Sequence, residues 1–419
     1  MNAQRNDHVS PATRECDVAI IGGGPAGAAA AIILHKHGWN CQIFEGSHFP
    51  RYHIGESLIP HTYSLLDRLG LLPAMRTSAY PVKHSVRFIA PSGSESDPFY
   101  FSETIEGERA RTWQVDRRSV DVLCLERARE AGAAVHMDTR AERVLFDGDR
   151  AVGVQVTDAD RTARQVRAKI VIDASGRTSL IGRQLGIMER VPGLNKASAW
   201  CHDKRAMRCD DIEWGETTIF MLPDRNWFWY IPLPDDIVSV GYVGSPDELF
   251  ARSDDFELSF LDQVGRHAPL RAFLSGSERV APVRGLRRLA YRNRQTVGDG
   301  WVMVGDAAAF LDPIYSSGLF LALGSAVMAA DCAAEALAAN DCSAARLGRF
   351  APALTQGIGV VRRVIDAFYD PSFSFAEFSR RFPEHRAALI DCLVGDVVGK
   401  DMTGFLDALA QMTPVAAGN

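Results

Sequence analysis

Three glycines near the start of the sequence have the spacing of a turn that binds a dinucleotide. Gly22, Gly24 and Gly27 follow a short β-branched run and open an alanine-rich run without a helix breaker. A strand, a glycine turn and a helix in this order let a pyrophosphate approach where a Cβ would collide, and direct helix N-terminal amides, such as that of Ala26, toward the anion. These residues predict a nucleotide site, although a tight strand-to-helix turn without a ligand would also fit the spacing.

An acidic residue stands where the second strand of such a unit would end. Residues 40–44 form a short predicted strand, and Glu45 follows it about 20 residues after the glycines. A carboxylate at this place accepts hydrogen bonds from the ribose hydroxyls of an adenosine and repels a 2′-phosphate. The sequence therefore favours FAD or NAD over NADP.

Two later predicted strands end in an aspartate beside a glycine. Residues 169–173 end in Asp173, which begins an Asp-x-x-Gly turn with Gly176, and residues 301–304 lead into Gly-Asp at Asp306. An aspartate at a strand end can also simply cap the next helix. These segments resemble flavoproteins of the aromatic hydroxylase type, and the resemblance implies that Asp306 hydrogen-bonds the ribityl chain of the flavin. Together with the glycine turn, they indicate that the nucleotide is FAD.

A proline turn with two serines and a glycine precedes a long apolar helical run. Residues 310–318 read Phe-Leu-Asp-Pro-Ile-Tyr-Ser-Ser-Gly. Amides at the positive end of a helix can bind an anion or a polarised flavin carbonyl, whereas Ser316 or Ser317 could instead be an ordinary helix cap. The F-x-x-P-x-x-S-x-G spacing is similar to that of the flavin-dependent halogenases. The resemblance implies that Pro313 and Gly318 contact the cofactor and that the amides of Ser317 and Gly318 hold a halide.

Six consecutive residues, beginning at Trp227, read Trp-Phe-Trp-Tyr-Ile-Pro. On a strand, Trp227, Trp229 and Ile231 would share one face, while Phe228 and Tyr230 would point away. Such a run also fits a buried sheet core without a site. The segment resembles the W-x-W-x-I-P motif of the halogenases, which implies that the residues of the first face form a wall of the active site and do no chemistry.

A lysine completes the candidate chemistry. A Gly-Glu-Ser segment ending at Ser57 is followed by a leucine-rich run and by Tyr-Pro-Val before Lys83. A lysine enclosed by aromatic walls has a lowered pKa and can donate a proton or capture an electrophilic halogen; the ordinary alternative is a solvated surface lysine. By resemblance to the halogenases, Lys83 is catalytic and Ser57 and Arg117 contact FAD, although Arg117 could also be a helix-start cation in a surface ion pair.

The resemblance covers about residues 14–400 and is greatest to compact bacterial halogenases of pyrrolyl or phenolic groups tethered to a carrier protein. It implies that a separate flavin reductase supplies FADH2, that FADH2 and O2 form a C4a-hydroperoxide, and that chloride or bromide becomes hypohalous acid. Lys83 then delivers the halogen to an electron-rich aromatic carbon. A monooxygenase or reductase of the same fold, and a flavin-binding protein without turnover, are the alternatives.

One position departs from the halogenases of free tryptophan. Those enzymes have a glutamate two residues before the position of Ser317, and this sequence has Tyr315 there. By this analogy we expect Tyr315 in the wall of the active site, and an activated ring such as pyrrole or phenol, rather than indole, as the substrate.

The length of 419 residues suits an FAD domain, a substrate sheet and a helical tail, without a separate NAD(P)H-binding domain. The predicted fold is α/β, or α+β overall: a Rossmann-like FAD-binding domain of the aromatic-hydroxylase type with an inserted antiparallel substrate sheet and C-terminal helices. The FAD domain is expected to be discontinuous, comprising residues 14–78, 113–190 and 290–340. The substrate sheet would comprise residues 79–112 and 191–289, and the helical segment residues 341–412.

Charge, cysteine usage and the N-terminal apolar stretch exclude several classes of protein. A net charge of −6 provides no basic footprint for nucleic acid, and eight irregularly spaced cysteines without a metal-type pair fit a reduced, cytoplasmic protein without a metal site. The apolar residues 18–34 are preceded by Glu15 and Asp17 and interrupted by glycines, so neither a signal peptide nor a membrane span is expected. The sequence is compatible with a homodimer.

Overall fold

A computed structural model describes residues 14–413. The strands in this range are β1 (Arg14–Ile21), β2 (Cys41–Phe44), β3 (Val82–Lys83), β4 (Ser85–Ile89), β5 (Phe99–Tyr100), β6 (Thr112–Trp113), β7 (Ala134–His136), β8 (Arg140–Asp147), β9 (Arg150–Thr157), β10 (Ala163–Asp173), β11 (Met188–Arg190), β12 (Ala197–Lys204), β13 (Thr217–Met221), β14 (Trp227–Pro232), β15 (Ile237–Gly244), β16 (Glu278–Arg279), β17 (Arg284–Leu286), β18 (Tyr291–Asn293), β19 (Val297–Gly298), β20 (Trp301–Met303) and β21 (Ala309–Phe310).

The α-helices in the same range are α1 (Pro25–Lys36), α2 (Thr62–Leu69), α3 (Leu72–Arg76), α4 (Arg117–Glu130), α5 (Leu180–Gln184), α6 (Pro246–Leu249), α7 (Phe256–Arg266), α8 (Ala268–Phe273), α9 (Gly318–Ala338), α10 (Ala344–Leu347), α11 (Ala351–Tyr369), α12 (Phe375–Arg381), α13 (Arg386–Val394) and α14 (Thr403–Met412).

An eight-stranded sheet with the order β19-β20-β10-β1-β2-β7, and with β8 and β9 paired beside β10, carries the glycine turn. β1 pairs in parallel with β2 and β10, β20 with β10, and β7 with β2. β1 is buried on both faces, because Val18 and Ile20 pack in the cluster with α1, while Ala19 and Ile21 pack in a second cluster on the other face. A parallel sheet covered on both faces is typical of α/β folds, and the predicted fold class is confirmed.

The apolar stretch at residues 18–34 forms β1 and α1, and α1 packs on α9 in the core. Within the described residues, α9 is the one helix long and apolar enough to cross a membrane, and 61% of its most apolar 18-residue stretch is buried inside the protein. Leu323, Ala326 and Ala330 of α9 belong to the same cluster as Ala29 of α1. Packing in the core therefore accounts for the apolar character of α9.

A second eight-stranded sheet has the order β16-β12-β15-β14-β13-β4-β5, with β17 beside β12. Its pairs are antiparallel except for β13 and β4, which are parallel. On β14, Trp227, Trp229 and Ile231 lie in one apolar cluster, and Phe228 and Tyr230 lie in another. The predicted alternation of faces is confirmed.

Helices α11, α13 and α14 cover the tryptophan face of this second sheet. Val364 of α11, Leu389 of α13 and Phe405 of α14 share the cluster that contains Trp227. The indole Nε1 of Trp227 donates to the hydroxyl of Tyr369 at 2.9 Å. The C-terminal helices thus close one side of the space between the two sheets.

The contact between α1 and β1 can be tested by a single methyl group. A Cβ at Gly27 would overlap the carbonyl oxygen of Gly22, so we expect Gly27→Ala to destabilise the protein by about 1–3 kcal/mol, as overpacked cores do. The shift of the thermal unfolding midpoint measures the effect. Gly265→Ala in α7 is the control, because a Cβ there meets nothing within 4 Å. An unchanged midpoint for Gly27→Ala would contradict the close contact.

Candidate active site

A cavity of about 610 Å³, here called the main cavity, lies where the glycine turn, the ends of β2, β10 and β20, and the tryptophan face of the second sheet meet. A depression of similar volume, about 620 Å³, around Phe88 and Pro371 contains none of the predicted site residues. The predicted residues that line the main cavity are Gly22, Gly24, Ala26, Glu45, Ser57, Arg117, Gly176, Trp227, Trp229, Ile231, Asp306, Pro313 and Gly318.

The glycine turn presents bare backbone to the main cavity. Gly22 has a φ of +98°, and a Cβ there would lie 2.5 Å from the carbonyl oxygen of Ala174. A Cβ at Gly24, the residue before α1, would meet only the guanidinium of Arg51, at 3.4 Å. Helix N-terminal amides and an arginine that face the same space form a site for a phosphate or pyrophosphate.

Two backbone amides hold the carboxylate of Glu45 at the edge of the main cavity. The N–H of Gly23 donates to Oε2 and the N–H of Ser47 donates to Oε1, both at 2.8 Å. Each carboxylate oxygen keeps a further lone pair that can accept a hydrogen bond from a hydroxyl group. The carboxylate is therefore fixed in a position that suits a ribose.

Two arginines add positive charge to the wall. Arg117 begins α4 and is 6% exposed, and its Nε and Nη2 donate to Asp121 at 2.7 and 3.0 Å. Its Nη1 donates to the carbonyl of Ile54 at 2.7 Å, and Arg51 Nη1 lies 3.3 Å from Asp121 Oδ2. Arg117 is therefore buried in an internal ion pair and is not part of a surface pair.

Asp173 lies behind the wall of the main cavity. Its Oδ1 accepts the N–H of Ser175 at 3.0 Å and its Oδ2 accepts the N–H of Ile181 at 2.8 Å. Burial raises the pKa of this carboxyl, and these hydrogen bonds oppose the change. Asp173 therefore shapes the turn that brings Gly176 to the cavity, and its own oxygens face that turn.

Asp306 lines the main cavity directly, after the end of β20. Burial raises its pKa to about 6, while the charges of Arg177 and Arg117 act in the opposite direction. The hydroxyl of Tyr291 donates to the backbone carbonyl of Asp306 at 2.6 Å and holds the turn in place. Near neutral pH, a carboxyl group with this pKa can accept a hydrogen bond from a polar chain or donate one to it.

The turn before α9 leaves two amides free. Ser316 has a φ of +53°, and its N–H donates to the carbonyl of Pro313 at 3.0 Å. Within residues 14–413, the N–H groups of Ser317 and Gly318 have no hydrogen-bond acceptor. They stand at the positive end of a helix of 21 residues. Gly318 lines the main cavity, whereas Ser317 is not part of its lining. This turn can bind an anion at the cavity edge.

In the tryptophan wall, the indole N–H groups of Trp227 and Trp229 already donate to acceptors within the protein. Trp227, Trp229 and Ile231 line the main cavity, and Trp229 Nε1 donates to Ser239 Oγ at 3.1 Å. A third tryptophan, Trp200 on β12, joins this wall. Sequence reasoning missed Trp200 because no motif surrounds it. The wall shapes the cavity with apolar ring faces.

Lys83 and Tyr315 line a separate cavity of about 30 Å³, here called the lysine cavity. It lies against the main cavity, since several residues line both spaces. These shared residues are Thr217, Ile219, Ile314 and Ser316. A single layer of side chains therefore separates the lysine from the main cavity.

Lys83 is buried, with 1% of its surface exposed. Its Nζ donates to Ser57 Oγ at 2.9 Å and to the carbonyl of Leu58 at 3.3 Å, and it lies 5.6 Å from the ring centre of Phe101. Burial lowers the pKa of Lys83 to about 7, and the charge of Glu216 acts to raise it. The side chain is thus an enclosed amine beside an aromatic ring, unlike a solvated surface lysine.

Other polar residues near the two cavities, among them Glu56 of the Gly-Glu-Ser segment, have partners that the motifs do not indicate. Glu56 is 2% exposed, its Oε1 lies 2.8 Å from His202 Nε2, and its Oε2 has no hydrogen-bond partner in the described part of the chain. Thr217 Oγ1 accepts from Gln114 Nε2 at 2.8 Å and lies 3.3 Å from Ser57 Oγ. These partners are far apart in sequence, so no local pattern could reveal them.

The residues around the main cavity fit FAD. The glycine turn and Arg51 match a pyrophosphate, Glu45 matches a ribose, and Asp306 matches a polar chain. A phosphate group can approach Gly24 because that residue has no Cβ.

Comparison with known proteins agrees with this fit. Residues 15–341 match the FAD binding domain family. The chain is 32% identical over 418 residues to a 1H-pyrrole-2-carbonyl-(peptidyl-carrier protein) chlorinase of Pseudomonas fluorescens, a match that covers 94% of this chain and 92% of the relative. It is also 32% identical to a 1H-pyrrole-2-carbonyl-(peptidyl-carrier protein) brominase of Pseudoalteromonas luteoviolacea, over 78% of this chain and 79% of that one.

A solved structure shows the same architecture. The flavin-dependent brominase Bmp2 matches with a TM-score of 0.85 and 27% identity, over 96% of this chain and 99% of that one. Its fold therefore includes the FAD unit, the second sheet and the C-terminal helices. The protein is an FAD-dependent enzyme that belongs to the flavin-dependent halogenases.

Proposed function

We propose that this enzyme chlorinates or brominates a pyrrolyl or phenolic ring tethered to a carrier protein. Two relatives are named for a pyrrole-2-carbonyl group on a peptidyl-carrier protein, and the chlorinase aligns with nearly the whole chain. The observation that carries the proposal is Lys83, buried one layer of side chains from the cavity that fits FAD. A hydroxylase has no need for such a lysine. Tyr315, in place of an acid, supports an activated ring over an indole.

The residues of the main cavity hold FAD. When bound, reduced FAD with O2 supplies the oxidising equivalent that converts chloride or bromide to hypohalous acid. The amides near Gly24 and Ala26, with Arg51, bind the pyrophosphate. Glu45 accepts hydrogen bonds from the ribose hydroxyls, and Asp306 forms a hydrogen bond with the ribityl chain. Further contacts to the cofactor come from Ser57, Arg117, Gly176 and Pro313, all of which line the cavity.

The free amides of Ser317 and Gly318 hold the halide. Both N–H groups stand at the positive end of α9, which stabilises an anion by about 0.3–1 kcal/mol in addition to the hydrogen bonds. Gly318 faces the main cavity, so a halide bound there lies at the edge of the cofactor site. The halide is thereby kept beside the place where it is oxidised.

Lys83 receives the oxidant from the main cavity and directs the halogen to the ring carbon. The oxidant passes at the layer formed by Thr217, Ile219, Ile314 and Ser316, because these residues line both cavities. Two of these side chains, Ile219 and Ile314, are apolar, and Thr217 and Ser316 carry hydroxyls that can hydrogen-bond a hypohalous acid as it passes.

A carrier protein and a separate flavin reductase are the partners that this chemistry requires, and a homodimer is compatible with it. The carrier presents the ring, and the reductase supplies FADH2. We also infer a cytoplasmic location, because all eight cysteines are free thiols in the structure and reduced cysteines are typical of the cytosol.

Mass spectrometry of loaded carrier proteins tests this function. We expect a pyrrolyl-loaded carrier protein, incubated with enzyme, FADH2, O2 and chloride or bromide, to gain the mass of one or more halogens. A hydroxybenzoyl-loaded carrier tests the phenolic alternative, and the same acids free of carrier test carrier dependence. A hydroxylated product would support a monooxygenase, and the absence of halogenated product from every substrate would refute the proposal.

Replacement of the lysine separates halogenation from flavin oxidation. We expect Lys83→Ala and the more conservative Lys83→Met to lower halogenation by about 10²–10⁴-fold, the usual contribution of a proton-donating side chain. Oxidation of FADH2 by O2 should continue at the native rate, because Lys83 lies outside the main cavity. Lys36→Met, at an exposed lysine of α1, is the matched control. A variant at Lys83 that still halogenates at the native rate would contradict the assigned role.

The role of Glu45 can be measured through FAD binding. We expect Glu45→Ala to weaken FAD binding by about 10–100-fold, because hydrogen bonds to a charged group contribute about 1.5–3 kcal/mol. Titration of the apoprotein with FAD, followed by flavin fluorescence, measures this change. Glu126→Ala, at an exposed glutamate of α4, should leave the affinity unchanged. Equal FAD affinities for the two variants would show that Glu45 does not contribute to FAD binding.

A further inference from the structure

The strand that carries Lys83 packs directly on the segment that leads into β13. A Cβ at Gly215 would overlap the carbonyl oxygen of Val82. Gln114 Nε2 donates to the carbonyl of Gly215 at 2.9 Å and so fixes this approach. The backbone at residues 215–217 therefore touches the backbone beside Lys83.

This segment places a buried carboxylate next to the lysine strand. Glu216 is 1% exposed. Because Thr217 is the partner of Val86 in the parallel pair of β13 and β4, Glu216 lies level with Ser85. Ser85 Oγ donates to Glu216 Oε2 at 2.6 Å, and Ser85 is two residues from Lys83. Burial raises the pKa of Glu216, while the hydrogen bond from Ser85 and the charge of Arg87 act to lower it. The carboxyl group is thus held at a fixed place next to the strand that carries the buried lysine.

The direct partners of Lys83 are neutral. Its Nζ donates to the hydroxyl of Ser57 and to the carbonyl of Leu58, so neither contact supplies a negative charge. Burial lowers the pKa of Lys83, the charge of Glu216 opposes this effect, and the two together leave the pKa at about 7. An ammonium without a nearby anion would lose its proton in such a place.

The other ionisable side chains at the lysine cavity are neutral near pH 7. A hydrogen bond to Glu213, together with burial, raises the pKa of Tyr100 to about 12, and burial raises the pKa of Tyr315 well above its ordinary value. Burial lowers the pKa of the neighbouring His84. None of these groups can replace the charge of Glu216.

Glu216 has charged neighbours of its own. Arg87 Nε lies 2.9 Å from Glu216 Oε1, and the same guanidinium also pairs with Glu213 and, at 2.8 Å, with Glu95. Cys209 Sγ lies within 4.8 Å of both Glu213 and Glu216, and its pKa is raised to about 11, so it is a neutral thiol. One arginine shared by three carboxylates leaves a net negative charge beside the lysine strand.

We propose that Glu216 is a positioning residue that keeps Lys83 protonated while the halogen is transferred. This inference rests on the proposed function. Glu216, just before β13, supplies a negative charge. Tyr315, in the turn before α9, is neutral and cannot supply one. Its carboxylate acts through its field on Lys83 and touches no reacting atom.

The halogen transfer then leaves Lys83 with the same proton count before and after the step. As the ring carbon forms its bond to the halogen, the oxygen–halogen bond of the hypohalous acid breaks and its electron pair stays on oxygen. That oxygen takes a proton from the Lys83 ammonium and becomes water. The Lys83 amine then takes the proton that leaves the halogenated ring carbon, so the lysine ends the cycle protonated, as it began.

The pH profile of halogenation tests this role. Activity should fall as pH rises through the pKa of Lys83, near 7 in the native enzyme. Glu216→Gln removes the charge that stabilises the ammonium, so we expect this alkaline limb to move down by about one pH unit. Halogenation at pH 8 should drop about tenfold, while activity at the acid end stays near native. Glu216→Asp should restore most of the native profile.

Glu213→Gln is the matched control, because Glu213 contacts Arg87 and Tyr100 but does not act on Lys83; its profile should match the native one. If Glu216→Gln does not fold, Ser85→Ala serves instead: loss of the hydroxyl donor should move the limb in the same direction by a smaller amount. FADH2 oxidation by O2 should be native in every variant.

The outcomes separate this inference from the proposed function. If the native enzyme halogenates and the Glu216→Gln profile superimposes on it or moves to higher pH, the role of Glu216 is refuted while the function stands. If the native enzyme forms no halogenated product at any pH, the proposed function fails, and the role of Glu216 fails with it.

Discussion

The burial of the positive charge of Lys83 is the constraint on which much of the active site depends. An ammonium taken out of water must find hydrogen-bond acceptors and a counter-charge, or it loses its proton. Ser57 and Leu58 supply the acceptors, and Glu216 supplies the charge. These groups come from two distant parts of the chain, residues 57–58 and residue 216, so the enclosure of Lys83 requires that the FAD unit and the second sheet be packed together.

The same packing creates two spaces with one layer of side chains between them. The main cavity lies against the glycine turn and the tryptophan wall, while the lysine cavity lies against Tyr315 and α13. The C-terminal helices contribute to this packing by covering the tryptophan face of the second sheet.

Polar groups at the main cavity are held in place by hydrogen bonds within the protein. Glu45 is held by two backbone amides, and Arg117 is held by Asp121 and a carbonyl. Groups that are already oriented lose little entropy when a ligand binds. The cavity is thus organised for a nucleotide before the nucleotide arrives.

Local features of this protein could be read from the sequence, because they depend on backbone geometry over a few residues. The glycine spacing, the position of Glu45 at a strand end and the alternation of Trp227 and Phe228 between two faces are of this kind. The matching of motifs to the halogenases also singled out Lys83, but not its surroundings. The tertiary structure alone decided that Lys83 is enclosed, that Arg117 forms an internal ion pair, that the oxygens of Asp173 face its own turn, and that Glu216 stands beside the lysine strand. These properties depend on the exclusion of water and on contacts between segments far apart in the chain, which no local pattern of residues encodes.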